Sequence, residues 1–378
     1  MKQKNFDLPT ILTFGDLHLG HSKVPTAHIC QRLWCEIEKR GSEIDMIVIN
    51  GDIFDTALYM TSDDSRTVLS LFVKIMNLAN ANDITIRVIR GTFSHDRSQI
   101  NHIVSLYESY DYKFDFKYFD DLNIEYIDKY GIRMVYIPDD IPYNSSDEIL
   151  AKIQEMMAQA GWESVHLISY HGYSQHMLPY NLRRPPKIVF NSTQFKQILH
   201  HNGYVLSNHV HTGSLYGQII GVGSYDRLRH GEEENKGMFI IKDNQPQFIK
   251  NKDATPFYTI DLSNVNDKDE CVSKFKEFLM EKFPTKTLGY VRVVHHDINI
   301  RQLLQKVTSA MTSCVTYSSK SSVKEQKDVI VDDIVRDDSV EVQITEENIA
   351  TFIHDEMVEK KLKTLSIERI NQLLKGEK

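Results

Sequence analysis

An α/β sheet protein with a smaller α+β unit behind it is predicted by three features of this 378-residue chain. Over residues 1–240, short runs rich in Val, Ile and Tyr alternate with stretches of helical periodicity, the pattern of strands and helices wound around a buried sheet. Several of those runs end in blocks of Asp and His, at the strand ends where open α/β sheets bind ligands. From about Met238 the alternation gives way to a hairpin-like pattern and two further helical stretches.

The runs TILTF, DMIVIN, ITIRVIR, RMVYI, VHLISY and GYVLSN are bounded by Gly, Asn or Asp and read as buried strands. Between them, His28–Arg40 and Asp63–Asn80 place apolar residues at helical spacing, with Thr61 and Ser62 available to cap the second. Further on, FIIKDNQPQFIK reads as a hairpin, FYTIDL and VRVVHHDINI as strands, and Glu270–Lys282 and Ile300–Met311 as helices. His295 and His296, outside the blocks, read as structural. The polar, mixed-charge stretch from Ser318 reads as a linker. Thr345–Lys375 carries two amphipathic segments that cannot bury their apolar faces alone and so call for a docking partner. The expected organisation is a catalytic domain over 1–240, a capping domain over 241–317, a linker over 318–344 and a helical segment over 345–378.

The N-terminus MKQKNFDLPT lacks the apolar core of a signal peptide, and no apolar run is long enough to span a bilayer. Cys30, Cys35, Cys271 and Cys314 form neither a CxxC pair nor a dense framework, which fits reduced thiols in a cytoplasmic protein with no membrane attachment. The net charge of −8 argues against a broad basic surface for nucleic acid unless cations or a partner supply the positive charge.

Five blocks carry the chemistry. In GDLHLG, Asp16 and His18 alternate, so a strand pleat would turn both to one face; carboxylate and imidazole together suit Mn²⁺, Fe²⁺ or Zn²⁺. A solvated strand-end loop is the plain alternative for that pair taken alone. In NGDIFD, Asp52 can bridge two cations through its two oxygens, and Asp55 can orient a histidine or face solvent. In RGTFSHDRS, His95 beside Asp96 suits a carboxylate-supported histidine acting on phosphoryl or leaving oxygens, or equally a surface pair at a helix start. His171 in SYHGY, and His209 and His211 in SNHVHTG, complete the series. A lone strand histidine is most often structural. The ordered set D-x-H, G-D, H-D, H-G, H-x-H is far more specific than any one member.

That set resembles the calcineurin-like metallophosphoesterases, whose pattern is D-x-H, G-D, G-N-H-D, H and G-H-x-H. The segment GSYDRLRHGEEENKG (residues 223–237) is similar to the one closing the phosphoesterase domain of SbcD-type nucleases, the meiotic-recombination-eleven family. The resemblance covers nearly the whole chain. It implies a four-layer α/β sandwich with a small α+β capping domain and a C-terminal helical pair. It also implies a Mn²⁺-dependent DNA exonuclease and endonuclease with two divalent cations. One would be held by Asp16, His18, Asp52 and His211, the other by Asp52, His171, His209 and a third-block side chain. His95 would be the catalytic histidine, supported by Asp96. Aligned on the H-D pair, Ser94 stands where the family has an asparagine ligand; Thr92 or water are the alternatives. Asn208 stands where the family has glycine, and asparagine tolerates the left-handed backbone best among other residues.

The resemblance further implies a homodimer, with Val68–Met76 and Ile100–Tyr107 as a candidate face, although core packing explains those patterns as well. An SbcC-type ABC ATPase would bind Thr345–Lys375 and provide much of the DNA surface. Arg97, Arg183, Arg184 and Lys187 are candidate phosphate contacts, with solvated surface charge as the plainer reading. A phosphomonoesterase or cyclic-nucleotide phosphodiesterase is the rival within the same chemistry. A catalytically weak scaffold recruiting the ATPase is the rival from another class.

Overall fold

The computed structural model describes residues 7–178, 186–284 and 288–321. Arg183, Arg184, most of the segment read as linker, and Thr345–Lys375 lie outside the described residues.

The chain forms an α/β sandwich around two six-stranded sheets. The first contains β1 (Ile11–Phe14), β2 (Met46–Asn50), β3 (Thr85–Ile89) and β4 (Phe116–Phe119), all parallel. The second is built from β5 (Asn123–Ile127), β6 (Ile132–Ile137), β7 (Val165–His171), β10 (Leu199–Asn208), β11 (Ser214–Tyr216) and β12 (Ile219–Gly221), in the order β11-β12-β10-β7-β6-β5. Between them in sequence, β8 (Tyr173–Ser174) and β9 (Val189–Phe190) make a two-stranded ribbon. The hairpin of β13 (Gly237–Lys242) and β14 (Gln245–Lys250) joins the first sheet antiparallel to β1.

Strands buried on both faces read as continuous apolar runs, and β1 and β2 show why. Ile11, Met46 and Val48 face the second sheet, where they join Met134, Tyr136, Leu167 and Leu206 in one core cluster. Their neighbours Leu12, Ile47 and Ile49 face the opposite way, onto α1 (Thr26–Glu38) and α2 (Asp63–Asn82). Ser62 caps α2 by accepting a hydrogen bond from Ser65 N. The one-turn α3 (Phe93–Asp96) and α4 (Ile100–Glu108) follow β3; Ile100 and Ile103 enter the same core as Val68, Ile75 and Met76. Core packing therefore accounts for the apolar spacing that also suggested a dimer face. On the outer side of the second sheet lie α5 (Ser146–Gln159) and α6 (Ser192–Lys196).

The hairpin closes the first sheet, so the expected boundary at residues 240/241 falls inside β13. The smaller unit is a parallel sheet of β15 (Phe257–Asp261), β16 (Gly289–Val294) and β17 (Val315–Lys320), with α7 (Lys268–Lys282) and α8 (Ile298–Met311). β17 runs through residues 318–320, into the stretch read as linker. The strand expected through VRVVHHDINI stops at Val294, because Asp297 caps α8 by accepting from Asn299 N. His295 is fully buried and bonded within this unit: it lies 3.0 Å from the Val265 carbonyl and accepts from Asp297 N. Phe257 belongs to the core of the first sheet and stacks on Tyr290, 4.3 Å between ring centroids, seating the smaller unit against the larger. Among the described residues no helix is long and apolar enough to cross a membrane.

Candidate metal centre

The five blocks meet where the C-terminal ends of β1, β2, β3, β7 and β10 converge from the two sheets. Asn50 ties the sheets together at this point. Its side chain donates to Thr13 Oγ1 (2.7 Å) and accepts from Ser169 Oγ, and its carbonyl accepts from His171 Nδ1 (2.7 Å). Beyond the strands, the first two loops zip together through main-chain bonds from Asp16 N to Gly51 O and from Leu17 N and His18 N to Asp52 O.

The strand pleat does not align Asp16 and His18. Both lie past the end of β1 with left-handed backbone, φ 45° and 47°, and Asp52 and His209 share that region at 49° and 100°. Positive φ is uncommon for non-glycine residues and costs about 1–3 kcal/mol where the backbone is strained. Its concentration at four expected ligands marks the loops as shaped for side-chain placement. Gly91 permits the closest approach: a Cβ there would lie 2.2 Å from Asp52 N and Oδ1.

Asp16, His18 and His211 form one convergent group, and Asp52, His171 and His209 another. His18 Nε2 and His211 Nε2 face each other at 3.1 Å, while His171 Nε2 is 3.2 Å from His209 Nδ1 and 3.3 Å from Asp52 Oδ2. Asp52 joins the groups, its Oδ2 being 3.8 Å from His18 Nε2 as well. His18, Asp55 and His95 form a third group alongside. The paired donor atoms turned toward each other, in a buried set with two carboxylates, fit divalent cations chemically.

Charge couples Asp52 to its histidines. Burial opposes ionisation of Asp52, yet the charge and hydrogen bond of His171 hold its carboxyl well below the usual range. Burial alone would lower the His171 pKa, but Asp52 carries it well above 6.5. Burial keeps His209 below its ordinary value, favouring the neutral imidazole a cation needs.

Asp96 and Ser94 depart from the sequence reading. Rather than contacting His95, the Asp96 carboxylate accepts four main-chain bonds: Oδ2 from Asp52 N (3.0 Å) and Gly91 N (2.8 Å), Oδ1 from Ile53 N (2.8 Å) and Phe54 N (3.2 Å). Burial, with the neighbouring Asp52 charge, pushes it up to about 6 despite these donors. His95 instead donates from Nδ1 to the Asp55 carbonyl at 2.6 Å. Ser94 Oγ is buried without a hydrogen-bond partner. Thr92 is the third-block residue whose hydroxyl meets the centre, 3.3 Å from Asp52 Oδ2 and 3.4 Å from His209 Nδ1. The cause is local: residues 93–96 coil into α3, leaving Thr92 extended as its N-cap and nearest the cluster.

Asn208 is more than a tolerated substitute for glycine. The positive φ falls on His209, and Asn208 Nδ2 donates to Asp16 Oδ2 at 3.0 Å and to the Gly223 carbonyl at 3.2 Å. Asp55 Oδ1 stands 3.2 Å from His18 Nδ1. Glu232, to which residue-level reading assigned no role, accepts from His211 Nδ1 at 2.8 Å; its signal was its place in the 223–237 segment. That segment also reaches the smaller unit, with Arg227 donating to the carbonyls of Ala254 (3.1 Å) and Thr255 (3.4 Å). Arg97 and Lys187 are exposed, held at Ser94 O and Asn144 Oδ1.

No protein-family model matches the chain, and no curated protein matches it by sequence. Among solved structures, one similar chain is described as the crystal structure of TT1561 of Thermus thermophilus. It is 10% identical, with 65% of this chain and 100% of that one covered and a TM-score of 0.35. A likeness of this size transfers no chemistry, and the site is understood from its own side chains.

Proposed function

We propose that this chain is a metal-dependent phosphodiesterase of the calcineurin-like four-layer type, acting on DNA ends as an SbcD-like nuclease with two Mn²⁺ ions. The observation that carries the hydrolase reading is the junction at Asp52, a carboxylate grouped with His171 and His209 whose Oδ2 also stands 3.8 Å from His18 of the neighbouring Asp16–His18–His211 group. The nuclease reading draws its support from the resemblance of residues 223–237 and from the smaller unit that follows them, although its parallel strands alternate with helices instead of forming the expected α+β arrangement. Asp16, His18, Asp52 and His211 would hold one cation; Asp52, Thr92, His171 and His209 would hold the other. Two bound cations supply an acidified water and neutralise phosphodiester charge for in-line attack.

The protein's own groups do the rest. Nδ1 of His95 donates to the Asp55 carbonyl, so when the ring is doubly protonated Nε2 is the nitrogen left to give its proton to the leaving oxygen, returning the ring to the neutral Nδ1–H form. Its ring stands edge-on to His18, 4.8 Å between centroids, beside the first group. Phe93, two residues earlier and 57% exposed, offers a face on which an unstacked base can lie. In this reading an SbcC-type ATPase, engaged by Thr345–Lys375, supplies the basic surface that a net charge of −8 lacks, and the nuclease works as a homodimer.

The test offers end-labelled duplex and single-stranded DNA beside a small aryl phosphate, with Mn²⁺ and with or without the cognate ATPase. Cleavage of DNA is the expected result. Turnover of the aryl phosphate without DNA cleavage would establish the phosphomonoesterase rival, and silence on every substrate the scaffold.

A further inference from the structure

The two halves of the centre differ in what stands behind their imidazoles. In the first, Glu232 accepts from His211 Nδ1 at 2.8 Å, and Asp55 stands behind His18 at an ion-pair distance, 3.2 Å from an Nδ1 that makes no hydrogen bond. Both therefore turn Nε2 inward, where the two nitrogens face each other. In the second half, His171 Nδ1 donates to a neutral main-chain carbonyl, and His209 Nε2 is buried without a hydrogen-bond partner. Asp139 acts on His171 and His209 through its charge only, with no hydrogen bond to either. The uncharged Thr92 hydroxyl is a further donor in this half, 3.3 Å from Asp52 Oδ2 and 3.4 Å from His209 Nδ1.

Glu232 is built to stay behind His211. It is 5% exposed, and its Oε2 accepts from Leu228 N at 3.0 Å and lies 3.4 Å from Lys236 Nζ. Lys236, 1% exposed, also donates to the His211 carbonyl at 2.9 Å, so the same pair fixes the ring and the main chain of one residue. A carboxylate accepting the Nδ1 proton fixes the tautomer with its lone pair on Nε2 and raises the ring's basicity toward a cation.

We propose that Glu232 and Asp55 are positioning residues that make the Asp16–His18–His211 half a high-affinity cation site, filled first, while the Asp52–Thr92–His171–His209 half is a weaker, exchangeable one. Occupancy of the second half, and hence activity, then follows the free concentration of the divalent cation. This inference rests on the metal-centre reading above.

Mn²⁺ titration of the chelator-stripped full chain, followed by the electron paramagnetic resonance signal of the free ion, tests it without reference to turnover. Two binding steps separated by at least about tenfold are expected. Glu232→Gln keeps a hydrogen-bond acceptor but removes the charge, and should weaken only the tighter step, by about 10–100-fold. Asp55→Asn should act on the same step, and Glu232→Asp should restore part of the loss. Thr92→Asn should tighten only the looser step, whereas Ser94→Asn should leave both unchanged. Two equal steps in the wild type, or equal effects of Glu232→Gln and Asp55→Asn on both steps, would overturn the inference and leave the metal centre standing. If Glu232→Gln does not fold, Asp55→Asn and Thr92→Asn decide the question between them. A wild-type chain that takes up no Mn²⁺ would remove the metal-centre reading itself.

Discussion

Replacing Asp96 by Asn separates two roles for one carboxylate. Each Asp96 oxygen accepts two main-chain N–H groups, and together they hold the loop from Asp52 to Phe54 against Gly91. Asparagine keeps one oxygen and turns an NH₂ toward the other two donors. Hydrogen bonds to a charged group contribute about 1.5–3 kcal/mol each, so losing two costs about 3–6 kcal/mol. Urea unfolding should give a lower midpoint with an unchanged slope, and the loss should shrink above pH 6, because a carboxyl raised to about 6 in the fold makes its own ionisation there a cost to the wild type. Both Mn²⁺ steps should weaken together, because the displaced residue is the shared ligand Asp52. A variant as stable as the wild type but without activity would refute this reasoning, and would return Asp96 to the support of His95.

His95→Ala should abolish cleavage while leaving both Mn²⁺ steps in place; loss of either step would make His95 a ligand. Gly91→Ala should lower the melting temperature and weaken both steps, because its Cβ would collide with Asp52 at 2.2 Å, and unchanged Mn²⁺ binding would contradict that. Arg87, fully buried, donates to Glu125 at 2.7 and 2.8 Å and also pairs with Asp115. Arg87→Met leaves Glu125 to Lys117 and the Tyr136 hydroxyl, each at 2.6 Å, and should cost up to about 3–5 kcal/mol in chemical denaturation. Burial opposes ionisation of Glu125, but Arg87 holds its pKa below 4.5. Its contribution is therefore complete above pH 4.5 and is lost as the pH falls through the depressed folded value, which a stability profile in acid can follow.

The parts legible from sequence were those whose signal is local. β1, β2, β3 and β7 are buried along their whole length, so apolar content marked them without an alignment. β5, with a mixed burial pattern, and the two-residue β8 and β9 carried no such signal. α5 carried such a signal, with Ile149, Leu150, Ile153 and Met157 at helical spacing behind the Ser145 cap, although no helix was expected there. Residue 240 falls within β13, whose sheet membership depends on a partner strand more than two hundred residues earlier.

Which Asp and His residues to group was expected from the family resemblance that the order of the blocks carries, since metal chemistry restricts the side-chain types and strand ends restrict their places. Sequence could not assign what stands behind them. The N–H groups that Asp96 draws from the Asp52 loop, the approach of Thr92 to His209 and the pairing of Glu232 with His211 each join residues from separate loops. Such contacts exist only once two sheets have packed and brought five strand ends to one point, because a hydrogen bond forms by distance and angle, to which position along the chain is no guide.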